Sequence, residues 1–167
     1  MGGFETTCCF TGHRPSGLPW KNDELDPRCL DLRREIFEHL ENIYCAGYRH
    51  FICGMALGCD TFFARAVIAL KDDHPDITLE AAVPFAGQAD AWSTDHRQEY
   101  EDILALCDKV TVLQNAYSPD CMMRRNRYMV DHSSLLLACF TGMPGGTMNT
   151  IVYAQRCGTE VDLIEIE

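Results

Sequence analysis

The residues best suited to chemistry in this sequence are glycines, arginines and threonines gathered in four short segments. The first segment is Gly12-His13-Arg14-Pro15, where a β-branched, apolar run stops at a glycine and cations follow. Glycine permits a tight turn or a close backbone approach, and an arginine fork pairs with phosphate or carboxylate. Taken alone, this segment fits either a polar surface turn or one wall of an anion site.

The second segment runs from Gly54 to Asp60 and reads GMALGCD. It predicts a strand end, a loop with two glycines, and a helix for which Asp60 is a candidate N-cap. Free backbone N–H groups at such a helix start can bind an anion. The spacing GxxxGxD is neither the dinucleotide motif GxGxxG nor a P-loop, and an ordinary turn between strand and helix is the alternative.

The third segment, Arg124-Arg125-Asn126-Arg127, puts three arginines into four residues of a chain that has only 14 Lys plus Arg. Helical spacing places Arg124 and Arg127 on one face and turns Arg125 elsewhere. The segment is either a solvated basic face or part of an anion site.

The fourth segment, residues 142–150, follows the apolar run SLLLACF and reads GMPGGTMNT. A buried strand, a Gly-rich loop and a helix that begins near Thr147 form the usual cradle for phosphate. Thr147 and Thr150 would add hydroxyl donors on the first helical turn. This is the strongest local signal for an anion site, although a simple strand-to-helix turn has the same outline.

Hydrophobic periodicity predicts the elements that must position these segments. Leu30, Phe37, Leu40 and Tyr44 mark the expected inner face of the first helix. Alternating strands and helices indicate an α/β fold with a mostly parallel sheet and right-handed crossovers. Ligands of such sheets bind at the carboxyl ends of the strands, where the strand order reverses. The strands are expected at 6–12, 49–55, 77–85, 109–114, 134–140 and 161–166, and the helices at 26–46, 60–75, 92–107, 120–131 and 147–157.

Composition limits the class of protein. A chain of 167 residues is expected to form one domain, 1–167, and it contains neither an apolar run of membrane-spanning length nor a secretory signal, which predicts a cytoplasmic location. Its ten cysteines lie mostly in apolar runs without zinc-ligand spacing, so we expect reduced thiols and no metal site. The net charge of −11 disfavours a general role in binding nucleic acid.

Four motifs, TGHRP, CGMALGCD, RRNRYMVDHSSLLLACFTG and PGGTMNT, occur in this order along the chain. Together they resemble the SLOG superfamily of Rossmann-like proteins, in its YpsA-type branch, which is related to DprA and to the lonely-guy (LOG) phosphoribohydrolases. The resemblance implies a single Rossmann-like, three-layer α/β/α domain of about six strands. It also implies that Gly-rich loops bind a nucleotide or a nucleotide-derived ligand, and that a homodimer can form.

The resemblance and the residue chemistry together predict a set of ligand- or phosphate-binding residues. The expected ligand is a nucleotide or nucleotide-sugar such as AMP, ADP-ribose or an NAD-like molecule. No membrane partner is expected, and a nucleic-acid partner is disfavoured. In the second motif, Cys53 stands where relatives have serine. The predicted binding residues are Gly12, His13, Arg14, Gly54, Gly58, Asp60, Arg125, Asn126, Arg127, Gly145, Gly146, Thr147 and Thr150.

Three functions remain open from the sequence. The leading hypothesis is binding or sensing of the nucleotide-derived ligand. The second is hydrolysis of a nucleotide N-glycoside, for which Asp60 and Asp131 are the candidate catalytic residues. The LOG-type loop PGGxGTxxE supplies an acid for that reaction, whereas this chain has a shorter loop and no Asp or Glu between Gly146 and Glu160. The third hypothesis is single-stranded DNA binding in the manner of DprA.

Overall fold

The computed structural model describes residues 4–167. Short 3-10 turns at Phe4–Thr6 and Pro15–Gly17 flank the first strand. Strands and helices then alternate along the chain, as the periodicity predicts. Their bounds are β1 Thr7–Thr11, α1 Pro27–Cys45, β2 His50–Cys53, α2 Cys59–Asp73, β3 Thr78–Val83, α3 Thr94–Leu106, β4 Lys109–Val112, α4 Cys121–Asp131, β5 Leu135–Phe140, α5 Gly146–Arg156 and β6 Glu160–Glu165.

The strands form one sheet in the order β4-β3-β2-β1-β5-β6, and every neighbouring pair is parallel. The chain starts near the middle of the sheet, moves outward to β4, and returns past β1 to place β5 and β6 on the other side. The order therefore reverses between β1 and β5. This confirms the α/β, Rossmann-like fold, and it puts the expected ligand site beside these two strands.

Helices cover both faces of the sheet. Cys8 and Phe10 of β1 point to the face that packs against α1 and α2, where the Phe10 and Phe63 rings stack at 4.5 Å. Cys9 points to the opposite face, which packs against Met129 of α4 and Ala154 of α5. This alternation along one strand gives the three-layer arrangement, because successive side chains leave opposite faces of a strand.

The inner face of α1 differs from the prediction. Leu30 is 46% exposed, and the buried positions are Cys29, Leu32, Ile36, Leu40 and Ile43. These five residues repeat every three or four positions, whereas Leu30 lies one residue off this stripe. Cys29 occupies the first core position of the helix. A hydrophobic pattern that is counted from Leu30 does not include this position.

The start of α2 also differs from the prediction. Gly58 is the N-cap and Cys59 the first helical residue, so Asp60 lies in the first turn and does not cap the helix. Its carboxylate instead accepts a hydrogen bond from the backbone N–H of Ala56, 3.0 Å away, in the preceding loop. Asp60 therefore stabilises the loop between β2 and α2.

All ten cysteines are free thiols, and seven of them are buried. Burial raises the pKa of the Cys9 thiol to about 12, which keeps it protonated and unreactive at neutral pH. Within residues 4–167, no helix combines the length and the apolar character that crossing a bilayer requires.

Candidate anion-binding cleft

A cleft of about 310 Å³ opens at the carboxyl ends of β1 and β5, at the lower end of the size range of small-molecule sites. Its walls come from the turn after β1, the starts of α2 and α5, and one face of α4. The lining residues are Phe10, Thr11, Gly12, His13, Arg14, Ala56, Asp60, Met122, Arg125, Asn126, Met129, Gly146 and Thr147.

Two glycines bring the start of α2 against the turn after β1. A Cβ atom at Gly12 would lie 2.5 Å from the Cβ of Cys59, and one at Gly58 would lie 2.7 Å from the His13 carbonyl oxygen. Gly58 also has a φ of +88°, which side chains rarely adopt. The Cys59 N–H donates to the His13 carbonyl across this contact, at 3.1 Å. Both glycines therefore shape the wall of the cleft.

His13 joins the turn after β1 to the loop after β5. Its Nε2 accepts a hydrogen bond from the Thr141 N–H at 3.1 Å, and its ring stacks on Phe140 with centroids 5.8 Å apart. Accepting this bond requires an unprotonated Nε2. Burial lowers the pKa of His13, which also favours the neutral imidazole. The neutral imidazole thus holds the two loops that border the cleft.

Arg125 is a buried cation in the cleft wall, only 4% exposed. Its Nη1 donates to the Gly54 carbonyl oxygen, and its Nε donates to Asn126 Oδ1 at 2.9 Å. A Cβ atom at Gly54 would lie 2.8 Å from the guanidinium carbon, so glycine is required for this contact. Burial lowers the pKa of Arg125, and the nearby charge of Asp60 opposes that shift.

Asp60 is the only carboxylate among the residues that line the cleft, and it is 6% exposed. Its Oδ2 accepts from the Ala56 N–H, while its Oδ1 has no hydrogen-bond partner within residues 4–167. Burial raises the pKa of Asp60, and the charge of Arg125 is the largest opposing influence. One carboxylate oxygen is therefore available to a ligand.

The start of α5 faces the cleft without a cap. Gly145, the N-cap residue, has a φ of +148° and makes no side-chain capping bond. Nothing lies within 4 Å of a Cβ atom built at Gly145 or Gly146, so this loop is open to solvent. The N–H groups of the first helical turn have no intrahelical partner, which is the backbone geometry that binds phosphate.

The structure brings most of the predicted residues together at or around the cleft, but it places three elsewhere. Arg127 lies over the Tyr153 ring at 5.2 Å and lines a neighbouring groove between α4 and α5. Thr150 lines the same groove, and its hydroxyl donates to the Gly146 carbonyl at 2.8 Å. Asp131 ends α4 just before β5 begins, at the opposite edge of the sheet, where Tyr153 donates to it at 2.6 Å. Asp131 is therefore not positioned to act with Asp60.

Five lining residues were not predicted from the sequence: Phe10, Thr11, Ala56, Met122 and Met129. Met122 and Met129 share a helical face with Arg125, since Met122 lies three residues before Arg125 and Met129 lies four residues after it. That spacing is visible in the sequence. The side of the helix that meets the cleft is set by the packing of α4 on the sheet, which the sequence pattern does not give.

Six parallel strands with a cleft at the reversal of strand order define a Rossmann-like α/β protein. The YpsA family model, described as the YspA SLOG family, matches residues 8–160. The chain belongs to this family, which confirms the resemblance of its motifs.

Two relatives cover most of the chain. The SPbeta prophage-derived protein YoqJ of Bacillus subtilis (strain 168) is 31% identical over an alignment of 144 residues, and the match covers 78% of this chain and 84% of YoqJ. A UPF0398 protein of Bacillus thuringiensis (strain Al Hakam) is 29% identical over an alignment of 157 residues, and the match covers 91% of this chain and 83% of that protein.

Solved structures of low sequence identity share the fold. DNA processing protein A (DprA) of Streptococcus pneumoniae superposes with a TM-score of 0.64 at 16% identity, over 95% of this chain but 50% of DprA. DprA of Helicobacter pylori, described with a single-stranded DNA binding mode, gives 0.61 at 12% identity, over 96% of this chain and 65% of that one. The structural-genomics target TM1055 gives 0.58 at 12% identity, over 93% of this chain and 72% of that chain.

Proposed function

We propose that the cleft binds a nucleotide or a nucleotide-derived ligand, with a phosphate on the backbone of Gly145–Thr147. The observation that carries this proposal is the buried guanidinium of Arg125, which lines the same cleft as the uncapped start of α5. A buried cation is costly unless it is paired, and the hydrogen bonds of Arg125 go to uncharged acceptors: a carbonyl oxygen, an amide oxygen and the sulfur of Met122. An anionic ligand would complete its environment.

The charges in the cleft favour an anion although the chain carries a net charge of −11. Arg14 and Arg125 contribute two cations, and Asp60 contributes one carboxylate. Arg14 is exposed and forms no ion pair within residues 4–167. The partial positive charge at the start of α5 adds to this balance. The free Oδ1 of Asp60 would accept a hydrogen bond from a ligand hydroxyl, as in the recognition of a ribose.

Isothermal titration of the protein with AMP, ADP-ribose and NAD tests the proposal. Gly146→Val puts a side chain into the open space at the start of α5, so we expect the fold to persist and the affinity to fall at least tenfold. Gln155→Val changes the same helix at an exposed position outside the cleft, and it should leave the affinity unchanged. No binding of any of the three at millimolar concentration to the folded wild-type protein would refute the proposal.

Hydrolysis of a nucleotide N-glycoside is a second candidate, and the environment of Asp60 favours it. A carboxyl group with a raised pKa and a free oxygen in a cleft suits general acid catalysis. The test is the release of ribose 5-phosphate from AMP, which Asp60→Asn should abolish while AMP still binds. Binding of AMP without any product would leave the protein as a binding or sensing protein.

Single-stranded DNA binding finds less support. Tyr128 is the aromatic residue directly after the arginine-rich segment, and base stacking on aromatic residues is usual in proteins that bind single-stranded DNA. Its hydroxyl donates to Glu80 at 2.6 Å, and its ring lies 4.2 Å from the ring of His132. These contacts occupy Tyr128 inside the fold. A gel-shift titration with oligothymidylate that shows steep salt dependence would favour DNA binding instead.

A further inference from the structure

A second hollow lies beside the cleft, in the groove between α4 and α5. It has a volume of about 510 Å³. Three residues, Met122, Asn126 and Gly146, line both the groove and the cleft, so the two hollows meet along a shared rim. A ligand bound at the start of α5 therefore lies next to the groove, and a long ligand can reach the groove past these three residues.

The groove combines exposed apolar side chains with two cations. Met123, Met148 and Val152 are exposed apolar residues in its lining, and methionine side chains adapt readily to flat or irregular ligands. Arg127 and Arg156 supply the cations, and neither forms an ion pair within residues 4–167. Arginines without an ion pair beside the candidate cleft are complementary to negative or polar groups on the far part of the same ligand.

We propose that this α4–α5 groove binds the distal half of the ligand, and that the ligand is a diphosphate ester with an organic group at each end, of the ADP-ribose or NAD type. The inference rests on the proposed function, because the proximal phosphate is the one on Gly145–Thr147. The distal sugar or base lies against Met123 and Met148, and Arg127 and Arg156 bind its polar groups.

The length of α5 sets the size of a ligand that would contact both hollows. The helix extends from Gly146 to Arg156, which is about 15 Å at the rise of an α-helix. A phosphate at its first turn therefore lies far from Arg156, at its last turn. Only a ligand that continues past the shared rim contacts both groups of residues.

The chain's overall charge argues against a polyanion as the occupant. Extended nucleic acid binds through many phosphate contacts, and repulsion from a chain of net charge −11 opposes this. The cations of the cleft and the groove are local. The two hollows together are lined by four arginines and one carboxylate, a balance that suits a small anion such as a diphosphate. A small diphosphate ester is therefore favoured over a nucleic-acid strand.

Isothermal titration of the full chain with AMP and with ADP-ribose tests this inference. We expect the wild-type protein to bind ADP-ribose at least tenfold more tightly than AMP. Met148→Ser and Arg156→Gln should each reduce this ratio three- to tenfold. Arg124→Gln is the matched control, because Arg124 is an exposed arginine of α4 that pairs with Asp120 and lines neither hollow; it should leave the ratio unchanged.

The outcomes separate this inference from the proposed function. Equal affinities for AMP and ADP-ribose that the groove substitutions do not change would overturn the inference and leave the proposed function intact. No binding of either ligand would overturn both. If oligothymidylate binds tightly, and Met148→Ser and Arg156→Gln weaken that binding, the inference is overturned as well, because the groove then binds a nucleic-acid strand.

Discussion

Gly54 and Arg125 lie 71 residues apart in the chain, and the guanidinium of Arg125 donates to the carbonyl oxygen of Gly54. The contact is so close that a Cβ atom at residue 54 would lie 2.8 Å from the guanidinium carbon. It joins the loop after β2 to α4, and it fixes a buried cation in the cleft wall. The electrostatics of the candidate site therefore depend on the absence of a side chain at residue 54.

Substituting Gly54→Ala should force Arg125 out of its position. We expect the free energy of unfolding to fall by about 1–3 kcal/mol, as in other overpacked cores. Urea denaturation monitored by circular dichroism measures the change. Gly146→Ala adds the same methyl group in open space at the start of α5 and should change stability by less than about 0.5 kcal/mol. Equal effects of the two substitutions would contradict the packing of Gly54 on Arg125.

The charge of Arg125 should be coupled to that of Asp60. Arg125→Met leaves the buried Asp60 carboxylate without the charge that most opposes the rise in its pKa, and the Gly54 carbonyl without its guanidinium donor, so the free energy of unfolding should fall by about 1–3 kcal/mol. Adding Asp60→Asn removes the unpaired charge and should restore part of that loss, with a coupling energy of about 0.5–3 kcal/mol in a double-mutant cycle. Strictly additive effects would mean that the two charges do not interact.

The sequence predicts much of the fold because its hydrophobic periods agree with the final sheet. Helical spacing alone predicts that Arg125 faces away from Arg124 and Arg127. The structure confirms this prediction, because Arg125 is buried and the other two arginines are exposed. The failures arise where tertiary packing decides. Leu30 is exposed because Cys29 takes the core position. Gly58, and not Asp60, is the N-cap of α2, since the close contact between Gly58 and His13 sets the geometry of the helix start.

The candidate site was predictable as a region, whereas the division of its residues between two hollows was not. Strand ends that carry Gly12, Arg14 and Gly146 meet at one edge because parallel strands all end there. Arg127 and Thr150 belong to the same motifs, yet they face the groove between α4 and α5. This depends on how the two helices pack on the sheet, for which a local motif holds no information.

Gly58→Ala should destabilise the protein more than a substitution at another glycine of positive φ. A methyl group at residue 58 meets the His13 carbonyl oxygen at 2.7 Å, in addition to the cost of the positive φ. We expect the free energy of unfolding to fall by about 2–4 kcal/mol, the sum of the backbone cost and overpacking. Gly47→Ala is the control, because it has a φ of +108° with nothing within 4 Å, and it should cost about 1–2 kcal/mol. Similar losses for both variants would show that α2 and the turn after β1 separate without cost.

The neutral state of His13 should make stability depend on pH. Burial lowers the pKa of His13 in the folded protein below its ordinary value of 6.5, and the Nε2 atom must stay unprotonated to accept from the Thr141 N–H. The unfolded chain therefore binds more protons than the folded chain between the lowered pKa and 6.5. Above pH 6.5, His13 should add no pH dependence to the free energy of unfolding. As the pH drops from 6.5 towards the lowered pKa, the free energy of unfolding should fall by at most about 1.4 kcal/mol per pH unit.

His13→Gln tests this dependence, because glutamine does not titrate and its side-chain oxygen can accept from the Thr141 N–H. Urea denaturation of both proteins at pH 8 gives the cost of the substitution when His13 is neutral in both states. Between pH 6.5 and 5, the stability of the wild-type protein should fall more steeply than that of the variant. Parallel curves over this range, or an NMR titration that places the pKa of His13 at or above 6.5, would contradict the role of the neutral imidazole in joining the two loops.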